Sequence, residues 1–173
     1  LKTLEYGPKS KIKSPTLELA KAEDNLARRM KILVSGKDTA GEFYRRIFSN
    51  LFSYVANRVP EISDELYRID QGMKAGFGWK LGPFETWDAV GVKNAIGLMQ
   101  KSGIKPASWV LEMLEAGNES FYKIEQGVKQ YYDILSKTYE EIPGTEQFIT
   151  LDNLRDSSVV WKNIGTTLFD LGD

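Results

Sequence analysis

The sequence predicts a mainly α domain that carries a small β hairpin and an extended C-terminal tail. Three observations predict it. Apolar residues recur at helical spacing, most densely as Phe43, Tyr44, Ile47, Phe48, Leu51, Phe52, Tyr54, Val55 and Val59. Helix punctuation recurs with them, with Ser14-Pro15 and Gly82-Pro83 as starts and Gly36, Gly103 and Gly117 as stops. After Gly117 the pattern changes to aromatic and β-branched runs around short turns.

Each element has its own signal. Residues 1–13 are polar and basic around Gly7-Pro8 and read as a linker. Ser14 can cap a helix that Pro15 opens, and Leu17, Leu19, Ala20, Leu26, Ala27, Met30 and Leu33 keep one apolar side through to Gly36. Asp38 or Thr39 caps the next helix, whose apolar residues cover more than a narrow stripe, as expected for burial on most sides. Pro60 should end or kink it near Val59. Ser63 or Asp64 starts a shorter helix over Leu66, Ile69 and Met73 that ends in the Gly76-Phe77-Gly78 turn.

Leu81-Gly82-Pro83 begins a helix with Phe84, Trp87 and Val90, which Gly91 separates from another over Val92 to Lys101. Pro106 begins the last, with Trp109, Val110, Met113 and Leu114. Phe121-Tyr122-Lys123 and Val128 to Tyr132 then flank Glu125-Gln126-Gly127 as a hairpin. Phe148 to Leu151 reads as a short strand, and two more flank Ile164-Gly165. The helical domain is therefore expected over 14–144. Residues 145–173 read as a connector to a further domain, and the strand-like ending looks truncated.

Composition narrows the function. With 42% hydrophobic and 27% charged residues in 173, the chain suits one globular domain. A net charge of −1 gives no pull toward nucleic acid or anionic lipid. No apolar run is long enough for a bilayer, so no membrane partner is expected. The chain has no Cys, which removes disulfides, thiolate nucleophiles and zinc-finger patterns. That is compatible with the cytoplasm, the location expected. It also has no His, which removes the usual general base at neutral pH.

Other motifs favour plain readings. The glycines from Gly72 to Gly82 follow a helical pattern and lack the Lys-Ser/Thr of a phosphate loop, so they more readily close turns around Phe77, Trp79 and Phe84. Arg45-Arg46 could hold a phosphate, but pairing with Glu42 or Asp70 is the plainer expectation. Glu61, Asp64, Glu65 and Asp70 read as a solvated helix face rather than a metal site. Phe121, Tyr122, Tyr131 and Tyr132 lack the basic stripe of a base-stacking surface.

Three ordered blocks carry a resemblance. Ile69-Asp70-Gln71-Gly72-Met73-Lys74, then Gly76-Phe77-Gly78-Trp79-Lys80-Leu81-Gly82-Pro83-Phe84-Glu85, then Trp87-Asp88-Ala89-Val90-Gly91 resemble the C-terminal domain of 3-hydroxyacyl-CoA dehydrogenases. That family's pattern is Ile-Asp-x-Ala-Met-x-x-Gly, a spacer, Gly-Pro-Phe, then Asp-x-x-Gly. Gly72 departs from it, standing where Ala is usual. The resemblance implies a helical fold of the 6-phosphogluconate-dehydrogenase C-terminal type. It makes Asp70, Gly76, Trp79, Gly82, Pro83, Phe84 and Asp88 structural or cleft-lining residues.

The resemblance also implies a parent enzyme that oxidises 3-hydroxyacyl-CoA to 3-oxoacyl-CoA with NAD in fatty-acid β-oxidation. Its NAD-binding domain carries the catalytic His-Glu pair, so NAD belongs to the parent and no cofactor is expected on this chain. The family supplies a catalytic Asn from Gly-Phe-x-x-Asn-Arg, and this sequence has Arg45 at that position. Arg donates but cannot accept a hydrogen bond. The chain therefore resembles the second, non-catalytic helical repeat of a fused dehydrogenase/enoyl-CoA hydratase, which packs against the first repeat. Thr167 to Asp173 resembles the opening strand of a crotonase-like domain. The implied partners are the NAD-binding domain, the first helical repeat, the crotonase-like domain and, through the parent, acyl-CoA. Alone, the helical domain should self-associate and be inactive. The rival expectation is a stand-alone helical interaction or acyl-CoA-binding module.

Overall fold

A computed structural model of the chain describes residues 12–145, 149–155 and 158–172. Seven helices come first among them: α1 Pro15–Ala22, α2 Leu26–Ser35, α3 Thr39–Ile62, α4 Leu66–Phe77, α5 Pro83–Val90, α6 Val92–Lys101 and α7 Ser108–Glu115. Three antiparallel strands follow in the order β1 Tyr122–Glu125, β2 Val128–Tyr132 and β3 Tyr139–Glu141. A 3-10 turn over Leu151–Leu154 leads to a second hairpin, β4 Val159–Lys162 with β5 Thr167–Phe169. The mainly α class expected from the sequence is what the chain adopts.

The first helical stretch is two helices, not one running to Gly36. Its apolar side continues, but Glu23-Asp24-Asn25 breaks the backbone. Asn25 caps α2 by accepting from Arg28 N at 3.0 Å, and the freed carbonyl of Glu23 accepts from Arg29 Nε and Nη2 at 2.9 and 2.6 Å. Asp38 knits the next corner. Its carboxylate caps α3 by accepting from Gly41 N at 3.1 Å, and it takes the hydroxyls of Ser14 and Thr16, each at 2.6 Å. Those hydrogen bonds from Ser14 and Thr16 hold its pKa well below the usual carboxylate range.

The long helix also departs from expectation. It passes Pro60 and ends at Ile62, closed by Ser63 N on the Val59 carbonyl at 2.9 Å. Pro60 has no amide to offer the Ala56 carbonyl, and the Trp109 indole takes its place at 2.9 Å. That substitute donor explains why the helix continues. Nor is α3 buried on most sides. Phe52, Val55, Ala56 and Val59 are buried, whereas Phe43 is 56% and Ile47 47% exposed. Beyond the buried stripe, Phe43 touches only its neighbour Tyr44 among the described aromatic rings, at 5.4 Å, and that side of α3 faces outward.

Aromatic side chains build the core between α3, α5 and the sheet. The Phe52 and Trp87 rings stack at 4.8 Å, and Phe84 and Trp87 each lie 5.0 Å from Phe121. Such contacts add about 0.5–1.5 kcal/mol each beyond area burial. Phe121 thus belongs to the core and just precedes β1. The β1–β2 turn places Gln126 and Gly127 at φ 51° and 79°, the paired positive values that match a tight hairpin's twist.

The strand β3 was not expected, because Tyr139-Glu140-Glu141 is short and charged. A turn creates it: Asp133 Oδ1 accepts from Ser136 N at 2.6 Å and Asp133 N donates to Thr138 O at 2.8 Å. The strand expected at Phe148 to Leu151 is a further correction. Ile149 and Thr150 pair with no strand, Leu151 opens the 3-10 turn, and Phe148 lies outside the described residues. So do residues 1–11 of the expected linker.

Candidate functional site

The three motif blocks meet where α4, α5 and the sheet join. Helix α5 needs a cap, and Gly82 at its N-cap has no side chain to supply one. Asp70, one helix earlier, supplies it across the gap. Its Oδ1 accepts from Phe84 N and its Oδ2 from Glu85 N, both at 2.9 Å. The geometry requires glycine at 82: a Cβ there would stand 2.3 Å from Asp70 Cγ and 2.5 Å from its Cα. Glu85 completes the cap by accepting from Gly82 N at 2.8 Å. Pro83 and Phe84 are buried beneath it.

Asp88 does for the sheet what Asp70 does for α5. Its two oxygens accept from Phe121 N at 2.8 Å and Tyr122 N at 2.9 Å, which fixes the start of β1 on α5. The Tyr122 hydroxyl returns to Asp70 Oδ2 at 3.0 Å. Lys74 and Lys129 both meet Glu85 Oε1, at 3.0 and 2.5 Å, and the Lys129 ammonium lies 4.2 Å from the Tyr122 ring centre. Three carboxylates therefore lie in one cluster with two ammonium groups.

Burial pushes Asp70 up to about 6 and Asp88 up to about 7, against the hydrogen bonds that favour their ionised forms. Burial raises the Tyr122 hydroxyl as well, reinforced by Asp70. Burial also acts on Glu85, but the Lys129 charge and hydrogen bond outweigh it and leave that carboxyl below its ordinary value. Each of these carboxylates is spent on backbone amides or lysines. Among the described residues, no group of three or more Asp and Glu side chains is arranged to hold a metal ion.

The other motif residues lie apart. Gly76 sits on the exposed side of α4, where an added Cβ would meet nothing within 4 Å. Trp79 is 39% exposed and edges a shallow cavity of about 340 Å³ with Leu26, Met30, Phe48 and Leu81. Arg45 stands in the α2–α3 corner. It pairs with neither Glu42 nor Asp70, because its Nη1 donates to the carbonyls of Val34, at 2.9 Å, and Gly36. These carbonyls end α2, where a cation is favoured. Sequence reasoning gave Lys74 and Glu85 no role beyond their place in the motif blocks, weighed Tyr122 only as part of an aromatic run, and passed over Lys129. The Gly82-x-x-Glu85 spacing was a legible cap signal, whereas the lysines carry none.

The family described as "3-hydroxyacyl-CoA dehydrogenase, C-terminal domain" matches residues 41–131, which span α3 through most of β2. The chain belongs to that family. Within the 3-hydroxyacyl-CoA dehydrogenase family, it is 42% identical over 172 residues to the "Probable 3-hydroxyacyl-CoA dehydrogenase" of Bacillus subtilis strain 168. That match covers 99% of this chain and 22% of the relative. Two rickettsial proteins share the name "Putative fatty acid oxidation complex trifunctional enzyme". The one from Rickettsia felis is 38% identical over 63 residues, 32% of this chain and 9% of its own length. The one from Rickettsia prowazekii is 34% identical over 70 residues, 40% of this chain and 10% of its own. The chain thus spans about a fifth of the Bacillus relative and less of the others. No solved structure matches it. Among the described residues, no helix is long and apolar enough to cross a membrane.

Proposed function

We propose that this chain is a non-catalytic helical segment of an NAD-dependent 3-hydroxyacyl-CoA dehydrogenase of fatty-acid β-oxidation. The parent oxidises 3-hydroxyacyl-CoA to 3-oxoacyl-CoA, and this segment closes the acyl-CoA cleft and packs against a first helical repeat. The observation that carries the reading is Arg45. Its guanidinium stands where the family's catalytic Asn is expected, and it is spent on the Val34 and Gly36 carbonyls. A donor-only group held in that way cannot stand in for an amide that must also accept.

Two further observations support it. The glycines from Gly72 to Gly82 lie within and after α4, with no preceding strand among the described residues to aim a dinucleotide turn, which supports placing NAD elsewhere in the parent. No step of the reaction is assigned to this chain. The exposed Phe43 and Ile47 on α3 offer an apolar face suited to the first helical repeat. A crotonase-like domain is expected downstream of β5.

Incubating the purified chain with NAD and 3-hydroxybutyryl-CoA tests the reading. No NADH should form above the rate without protein. NADH production proportional to chain concentration, and abolished by Arg45→Ala, would overturn it.

A further inference from the structure

Arg45 also lines a cavity that takes no part in the packing described so far. It is about 490 Å³ and lies between the N-terminal half of α3 and the end of α6. Helix α3 contributes Glu42, Arg45 and Arg46 to its wall, and α6 contributes Leu98 and Lys101. Ser102 and Ile104, in the turn after α6, complete that side.

Charge selects the occupant. The lining carries three cations against one carboxylate, in a chain whose net charge is −1. None of Arg45, Arg46 and Lys101 has an ion pair among the described residues. Glu42 stands one helical turn before Arg46, where it can offset one cation and no more. Arg45 is the anchored member. Its Nη1 alone is engaged, by the Val34 and Gly36 carbonyls, which are neutral and leave its charge without a counter-ion. Its Nε and Nη2, the edge of a guanidinium that grips two oxygens at once, have no acceptor among the described residues. An incoming oxyanion therefore finds one guanidinium already ordered. The exposed Ser102 hydroxyl, which makes no hydrogen bond among the described residues, can add a donor. Leu98 and Ile104 are half-buried and give the cavity a carbon side.

We propose that this cavity binds a small phosphate monoester, with the phosphate on Arg45, Arg46 and Lys101 and the carbon body against Leu98 and Ile104. A phosphate monoester carries nearly two negative charges at neutral pH, which matches the excess of two cations in the lining better than a single carboxylate does. The proposal goes beyond the dehydrogenase reading and does not depend on it, because the ligand is not the acyl-CoA of the parent reaction.

Calorimetric titration of the whole chain with glycerol 3-phosphate at low salt tests it. Binding should saturate at one per chain and weaken as salt rises. Arg46→Gln and Lys101→Gln, both at exposed positions, should each weaken it about fivefold while the melting temperature holds. Glu42→Gln should tighten it by removing the opposing charge. Binding that does not saturate, or that is unchanged in both the Arg46→Gln and Lys101→Gln variants, would overturn the proposal. So would CoA displacing glycerol 3-phosphate at far lower concentration, because the cavity would then belong to the substrate of the parent enzyme.

Discussion

Adding one methyl group at Gly72 and at Gly82, ten residues apart in adjacent motif blocks, should give opposite results. At Gly82 a Cβ would fall 2.3 Å from Asp70 Cγ, 2.4 Å from its Cβ and 2.5 Å from its Cα. The last contact is backbone, so α4 and the α5 N-terminus must part. The Asp70 bonds to Phe84 N and Glu85 N are then stretched or lost. Loss of a helix cap costs about 1 kcal/mol. A buried carboxylate left short of donors costs about 1–3 kcal/mol more. Gly82→Ala should therefore destabilise the chain by about 2–4 kcal/mol.

At Gly72, a Cβ meets nothing within 4 Å and the backbone is helical, so Gly72→Ala should stabilise by about 0.5–1 kcal/mol. Urea unfolding followed by circular dichroism reads both at once. A Gly82→Ala midpoint within error of the parent, or a loss in both variants, would refute the reasoning.

The remaining predictions are briefer. Asp70 and Asp88 have folded pKa values of about 6 and about 7, above the ~3.9 of an unfolded Asp. A raised acid contributes stability that is full below the unfolded pKa and lost as pH rises through the folded one. Urea midpoints should therefore fall from pH 4.5 to pH 8, and Asp88→Asn should flatten that fall; a rising midpoint in the parent would contradict it. Arg45→Met should cost about 1–3 kcal/mol by freeing the Val34 and Gly36 carbonyls, and an unchanged melting temperature would show that those contacts contribute nothing. The exposed Phe43 and Ile47 should make the isolated chain self-associate, with Ile47→Glu reducing it. A strict monomer at high concentration in sedimentation would count against that face.

Much of the helical fold was legible in the sequence because its signals are local. Ser14-Pro15, Gly78, Gly82-Pro83 and Gly91 are punctuation that depends on neighbouring backbone, and the structure uses each one. What escaped depends on distant residues. Nothing near Pro60 announces that the Trp109 indole will fill the vacated bond on Ala56. Nothing near Tyr139 announces a strand, since the Asp133 turn and the pairing with β2 make it one. The extent of burial on α3 was misread for a related reason. Helical spacing says which residues share a face, but Phe43 and Ile47 look the same in sequence whether or not a neighbour covers them.

The site shows the same division. The blocks around Asp70, Gly82 and Asp88 were visible as a pattern, but their physical reason was not. Asp70 capping α5 across fourteen residues, and Asp88 holding the first amides of the sheet, are long-range contacts. Lys74 and Lys129 converge on Glu85 only once the sheet folds over α5.

The most direct test of the central claim is to read the coding sequence on both sides of this segment. The account predicts an open frame carrying a glycine-rich strand–turn–helix and a His–Glu pair upstream, and a crotonase-like domain beyond Asp173. Stop signals close to both ends would contradict it and would withdraw the dehydrogenase reading from this chain.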